Sequence, residues 1–157
     1  MSRSIGPDLR KQWHRACAFP GGRWLFSRLL GLRVPYTGSL GANVQSLAPG
    51  FCAVRLRDAR RLRNHLHSIH AMALANLGEM ATGLAVVNGL PEDTRAILTG
   101  FSIDYLKKAR GTLLAECRCS VPLASEPGDV EVDGEIRDSG GAVVAVVRAR
   151  WRIGHET

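Results

Sequence analysis

The chain has 157 residues, of which 45% are hydrophobic and 22% charged, and it carries a formal net charge of +7. That length suits one domain with a sizeable core, and the ordinary composition excludes a low-complexity or fibrous chain. The excess charge comes mostly from arginine, including Arg55, Arg57, Arg60, Arg61 and Arg63. No aromatic residue interleaves that run, so a polyanionic small molecule is expected there rather than nucleic acid.

No signal peptide is expected, because Arg3, Arg10, Lys11 and Arg15 are followed by no apolar run of the usual length. Residues 8 to about 31 read as a helical segment broken at Pro20-Gly21-Gly22. In its second half Leu25, Phe26 and Leu29 share one side at helical spacing, which predicts a helix packed over one end of the core. Gly31 and Pro35 end it. Residues 1–35 are thus expected as an N-terminal helical extension, and residues 36–157 as the main domain.

Strands are expected over Leu40 to Leu47 and Phe51 to Asp58, joined by the turn Ala48-Pro49-Gly50. The apolar stretch from His70 to Val87 is too long for a strand, and its alanines favour helix. Asn76, Glu79 and Asn88 interrupt the wider stretch Ala71 to Leu90, and a mid-segment carboxylate is expensive in lipid. A soluble, cytoplasmic protein without a membrane span is the expectation.

After Pro91 the period becomes two. Ile97, Thr99, Phe101, Ile103 and Tyr105 are expected on one face, opposite Leu98, Gly100, Ser102, Asp104 and Leu106. A turn over Lys107 to Gly111 leads to a strand from Thr112 to Val121. Cys117 and Cys119 share one face of it as small apolar groups. Val130 to Arg137 alternates cleanly, and Asp138 to Gly141 is a tight turn. A last strand follows, with Val143, Ala145, Val147, Ala149, Trp151 and Ile153 on one face. Two strands, one enclosed helix and four further strands predict an α+β fold in which a curved antiparallel sheet wraps a central helix.

Glu79 is the only charged side chain between His70 and Leu90, so it should be paired, protonated or functional. Asn76 and Thr82 lie one turn to either side of it and form a short polar stripe. The polar segment Asn64 to His70 ends at a helix N-terminus, whose free N–H groups at Ala71 or Met72 could stabilise an oxyanion. His65, His67 and His70 could bind zinc, but a flexible loop offers no fixed tetrahedron, so no metal is expected.

Asn64, His70 six residues on and Glu79 nine residues after that resemble the hotdog acyl-CoA thioesterases of the phenylacetyl-CoA thioesterase branch. That branch reads Asn-x-x-Gly-x-x-His-Gly-Gly, with an Asp or Glu nine residues beyond the His. Ile103 to Gly111 is similar to the family's strand-end segment, aromatic-Leu-x-Pro-Ala-basic. The resemblance spans about residues 36 to 153. It departs at His67, Ala71 and Met72, where the family has glycine, and at Lys108, where it has proline. Some members add a hydroxyl residue on the strand after the helix. Thr99 is the nearest candidate, but it is displaced by one residue and would face the other way.

The resemblance implies a hotdog fold and hydrolysis of an acyl-CoA or acyl carrier thioester. The Ala71 N–H, with His70, would hold the carbonyl. Glu79 from a partner subunit would act as base or nucleophile, and Asn64 would orient water, carbonyl or carboxylate. Met72, Arg60, Arg61, Arg63, Lys107, Lys108 and Arg110 are the candidate contacts to substrate and coenzyme A. No cofactor is implied beyond the coenzyme A of the substrate, and a homodimer or dimer of dimers is expected. Two other readings stay open: an acyl-CoA-binding module without turnover, and a thioester hydratase or dehydratase, for which His65 and Glu79 have the spacing of fourteen residues.

Overall fold

The computed structural model describes residues 5–120 and 127–155. Two helices come first, α1 (Ile5–Cys17) and α2 (Gly22–Arg33), separated at Pro20-Gly21 as the sequence predicts, then a short third, α3 (Pro35–Gly38). Strands β1 (Asn43–Ala48) and β2 (Phe51–Leu56) precede the long helix α4 (Ala71–Gly89). Strands β3 (Thr94–Tyr105), β4 (Leu113–Arg118), β5 (Gly128–Asp138) and β6 (Val143–His155) follow. The expected strand end at Val121 lies outside the described residues.

All six strands join one antiparallel sheet in the order β1-β2-β4-β5-β6-β3. The α4 crossover carries the chain from β2 to the far edge, where β3 pairs only with β6 among the described strands. This is the α+β hotdog arrangement, a curved sheet around a central helix.

Alanine and leucine dominate α4, and its start is fixed by His70, whose Nδ1 accepts the Met72 N–H at 3.0 Å. Its other end meets α1, where the Arg10 guanidinium donates to the carbonyls of Asn88 and Leu90. Close approach to the sheet depends on Gly78, because a Cβ there would stand 2.5 Å from Val147 Cγ1. Leu77, Ala85 and Val86 of α4 are fully buried against Val54, Leu113, Ile136 and Val144 in one continuous core. Truncating Leu77 to alanine in such a setting costs about 2–5 kcal/mol.

The N-terminal helices extend this core instead of standing apart from it. Leu9, Trp13 and Phe26 belong to the same cluster, with the Trp13 and Phe26 rings edge to face at 5.1 Å. The expected inward face of α2 is only partly right. Phe26 is buried, whereas Leu25 and Leu29 are 41% and 56% exposed. Gly22, Phe26 and the half-buried Leu30 form the inner stripe, and α2 has apolar residues on too many sides for spacing alone to select it.

In β3 the strict alternation fails once. A bulge between Leu98 and Gly100 leaves Thr99 unpaired and reverses the phase. Ile97 and Thr99 therefore face outward, while Phe101 and Ile103 turn toward the core. Cys52 and Cys117 face each other across β2 and β4, both buried, and burial pushes the Cys52 thiol up.

Candidate active site

Between Leu74 and Val86 of α4 only Ala75 and Glu79 are not fully buried. With the exposed Met72 they form a single stripe at i, i+3 and i+7 that stays partly exposed along the helix. The Glu79 carboxylate has no hydrogen bond and no ion pair among the described residues, and burial raises its pKa above the ordinary carboxylate value. The polar stripe expected around it does not form a network. Thr82 Oγ1 bonds back to the Gly78 and Glu79 carbonyls at 3.0 Å each, and Asn76 Nδ2 donates to the Tyr36 carbonyl at 3.4 Å.

Glu79 instead opens onto an apolar cavity of about 210 Å³. Ile5 and Leu9 of α1, Leu30 of α2, Met80 and Leu84 of α4, and Trp151 of β6 wall it. Gly83 lets the indole approach, since a Cβ there would lie 3.0 Å from Trp151 and 3.5 Å from Glu79 Oε1.

The loop before α4 builds its start. Asn64 folds this loop, its Oδ1 accepting from the N–H of Leu66 at 2.9 Å and from both the N–H and the hydroxyl of Ser68. His67 sits in this turn with φ +56°, a left-handed conformation that glycine adopts without strain. The resemblance places a glycine at this position. Ile69 N–H donates to the Ala109 carbonyl and His70 N–H to the Leu62 carbonyl, which ties the loop to its neighbours.

At the helix N-terminus the Met72 N–H is occupied by His70 Nδ1, whereas the Ala71 N–H has no acceptor among the described residues. Tyr105, at the end of β3, donates its hydroxyl to the Ala71 carbonyl at 2.9 Å, and burial raises its pKa. Sequence reasoning did not single out Tyr105, although it heads the Tyr105-Leu106-Lys107-Lys108-Ala109-Arg110 segment. A cavity of about 210 Å³ at this end is lined by Arg61, Arg63, His70 and Met72, along with Tyr36 and Asn76.

The candidate phosphate contacts divide into two groups. Arg63 is held by Asp58 at 2.8 Å, and this hydrogen bond keeps the Asp58 carboxyl below its ordinary pKa. Lys107 is held by Asp138 at 2.7 Å, again lowering the carboxyl. Arg61 donates to the carbonyls of Ser39 and Leu40, and Arg110 to that of Leu66. Arg60 and Lys108 are exposed and have no partner among the described residues. His65, His67 and His70 do not come together with other ligands, and no group of three His, Cys, Asp or Glu among the described residues is placed to hold a metal ion. Thr99 bonds the Arg150 carbonyl at 3.2 Å from its exposed bulge, away from this constellation. No described helix is long and apolar enough to cross a membrane.

Known structures share this architecture. A crystal structure described only by a genomics label superposes with a TM-score of 0.82 at 24% identity, covering 94% of this chain and 98% of that one. A protein from Pseudomonas aeruginosa named a probable thioesterase gives 0.72 at 20% identity, covering 88% and 97%. A hypothetical thioesterase from Streptococcus pneumoniae, crystallised with coenzyme A, gives 0.63 at 18% identity, covering 73% and 87%. No curated protein sequence matches the chain. A family model does, over residues 22–153, and the chain belongs to that family, DUF4442, a domain of unknown function.

Proposed function

We propose that the protein is an acyl-CoA thioesterase whose active site is shared between two subunits of a homodimer or dimer of dimers. The observation that carries this reading is Glu79: a half-buried carboxylate without a partner among the described residues, on the partly exposed stripe of α4, with a raised pKa. An unpaired carboxylate there is costly unless it works, and a raised pKa suits a general base near neutral pH.

The thioester carbonyl binds at the N-terminus of α4, where the free Ala71 N–H and the helix dipole favour the developing oxyanion. His70 holds the Met72 amide and so fixes the first turn. Tyr105 braces the same turn through the Ala71 carbonyl. Glu79 of the partner subunit takes a proton from water, which attacks the carbonyl carbon. The tetrahedral oxyanion collapses, the C–S bond breaks, and the coenzyme A thiolate leaves and is protonated. Direct attack by the carboxylate, giving an anhydride that water then opens, reaches the same products. Asn64 Oδ1 is engaged within its loop, so its part is to shape the turn that presents His70 and Ala71. Arg60 and Lys108 are free for the phosphates of coenzyme A.

Support comes also from two structures of the same fold, one named a probable thioesterase and one named a hypothetical thioesterase and crystallised with coenzyme A. The deciding experiment is a hydrolysis screen over acyl-CoA thioesters of graded chain length and over aromatic ones. Release of free thiol from at least one class is expected. Tight acyl-CoA binding with no turnover across the panel would replace the enzyme with a non-catalytic binding module.

A further inference from the structure

The arginines absorb unequally into this reading. Arg61 and Arg63 line the cavity beside the start of α4, with Arg61 also reaching Gly41 at the rim of a second groove, but Arg55 and Arg57 lie elsewhere, on and just after β2. There they meet Arg23 and Arg28 of α2 across a groove of about 480 Å³ whose floor is Asn43 to Gln45 of β1. No carboxylate lines this groove, and the sequence has none between Asp8 and Asp58. Every ion pair among the described residues lies outside it.

The guanidinium groups are held but not neutralised. Arg23 Nη1 donates to the Gln45 carbonyl at 3.1 Å and Arg28 Nη2 to the Ala42 carbonyl at 3.3 Å, each a neutral acceptor. Arg28 also lies 5.9 Å from the centre of the Trp24 ring. The Nε atoms of Arg28 and Arg55 are buried without any acceptor. Four like charges around one groove repel each other, and a buried guanidinium N–H without a partner carries an uncompensated desolvation cost. An anion with several oxygens removes both penalties, and the planar guanidinium fork matches phosphate oxygens in pairs.

We propose that the groove between α2 and the β1–β2 hairpin, lined by Arg23, Arg28, Arg55 and Arg57, binds a phosphate-bearing anion. The site stands independently of the thioesterase reading, because none of its residues belongs to the α4 N-terminus. Two sources supply that chemistry, a soluble phosphate ester and an anionic lipid headgroup. The exposed Leu25, Leu29 and Leu32 on α2 give the second source an apolar face to rest on.

The test titrates the full chain with inorganic pyrophosphate by calorimetry at low ionic strength. Vesicles of phosphatidylcholine with phosphatidylglycerol are sedimented with the protein in parallel. The variant is Arg23→Gln with Arg57→Gln, both exposed, its melting temperature checked against wild type. The single change Arg57→Glu serves if the double variant melts early. Pyrophosphate binding that weakens by about tenfold or more in the variant, and with added salt, is expected. Pyrophosphate binding without vesicle binding assigns a soluble ester. Vesicle binding that needs phosphatidylglycerol and is lost in the variant assigns a headgroup. Absence of both in wild type overturns the proposal, as does equal affinity in the variants or sedimentation with pure phosphatidylcholine alone.

Discussion

Glu79 and Ala71 share one helix, yet the eight residue steps from one to the other, at about 1.5 Å of rise each, separate them by about 12 Å along its axis. Reacting atoms must come within about 3–3.5 Å of one another. One protomer therefore cannot bring its own Glu79 carboxylate to a carbonyl bound at its own Ala71 N–H. The partly exposed stripe of Met72, Ala75 and Glu79, and the outer edge of β3, which has β6 as its one neighbour among the described strands, are the surfaces on which a second copy would complete the site.

The first prediction follows from that separation. A Glu79→Gln chain and a Tyr105→Phe, His70→Ala chain should each be nearly inactive alone. Mixed, dissociated and reassociated, they should regain about a quarter of wild-type activity, because half of the dimers are then mixed and each holds one intact site. Light scattering should report at least a dimer at micromolar concentration. A monomer, or no regain on mixing, counts against a shared site.

The second concerns the basic residues. Arg63 and Lys107 answer carboxylates already, whereas Arg60 and Lys108 answer none among the described residues. Arg60→Gln with Lys108→Gln should raise KM for coenzyme A thioesters by about tenfold and flatten its dependence on salt, with kcat little changed. Arg63→Gln with Lys107→Gln should move KM far less. Steady-state kinetics at two ionic strengths compares the two pairs directly, and the reverse order would shift the phosphate contacts to the paired residues.

The third rests on His67 and its φ of +56°. A left-handed conformation costs a residue with a Cβ about 1–2 kcal/mol, whereas glycine loses about 0.5–1 kcal/mol of chain entropy on folding. The two terms nearly offset, so His67→Gly should leave stability within about 0.5 kcal/mol of wild type. His67→Val, stiff at χ1 and crowded at this φ, should cost about 1–2 kcal/mol. Urea unfolding of both variants checks the pair.

Local chemistry made much of this fold legible before any coordinates. The Pro-Gly punctuation before α2, the Ala-Pro-Gly hairpin and the alternation from Ala145 to Ile153 depend on neighbours in sequence, and the structure follows them, whereas at the head of β6 a bulge opposite Ile136 and Arg137 buries Val144 in place of Val143. What the sequence left hidden depends on contacts across space. The bulge at Thr99 is one residue in a strand whose pattern reads equally well in either phase, and only pairing with Arg150 and Trp151 of β6 reveals the slip. The outward turn of Leu25 and Leu29 is decided by what α2 meets, Trp13 and the core, since apolar residues lie on most of its sides.

The candidate site was legible to a similar depth. Glu79 stands out as a lone charge in an apolar helix, and Asn64, His70 and Ala71 stand out by spacing. Tyr105 does not, because its hydrogen bond to the Ala71 carbonyl joins the end of β3 to the start of α4 across thirty-four positions. The division of the basic residues was equally invisible. Lys107 meets Asp138 only because β3 and β5 end together on either side of β6.

The last prediction returns to Glu79 and separates catalysis from structure by pH. Burial holds its folded pKa above the unfolded carboxylate value, so the fold favours the protonated form. The stability tied to that proton is fully present below the unfolded value of about 4.3 and is lost as pH rises through the folded pKa. Glu79→Gln imitates the protonated acid at every pH. The variant should therefore melt higher than wild type near about pH 8 and level with it near about pH 4. If Glu79 is also the base, the same variant should lose about 10²–10⁴ in kcat while binding of an unreactive acyl-CoA analogue stays close to wild type. The wild-type rate should climb with pH along an acidic limb whose midpoint lies above the ordinary glutamate value. Calorimetry across pH and steady-state kinetics on one preparation yield both readouts. A variant that melts as predicted but turns over at the wild-type rate leaves Glu79 a buried acid only, and the nucleophile or base must then be sought elsewhere.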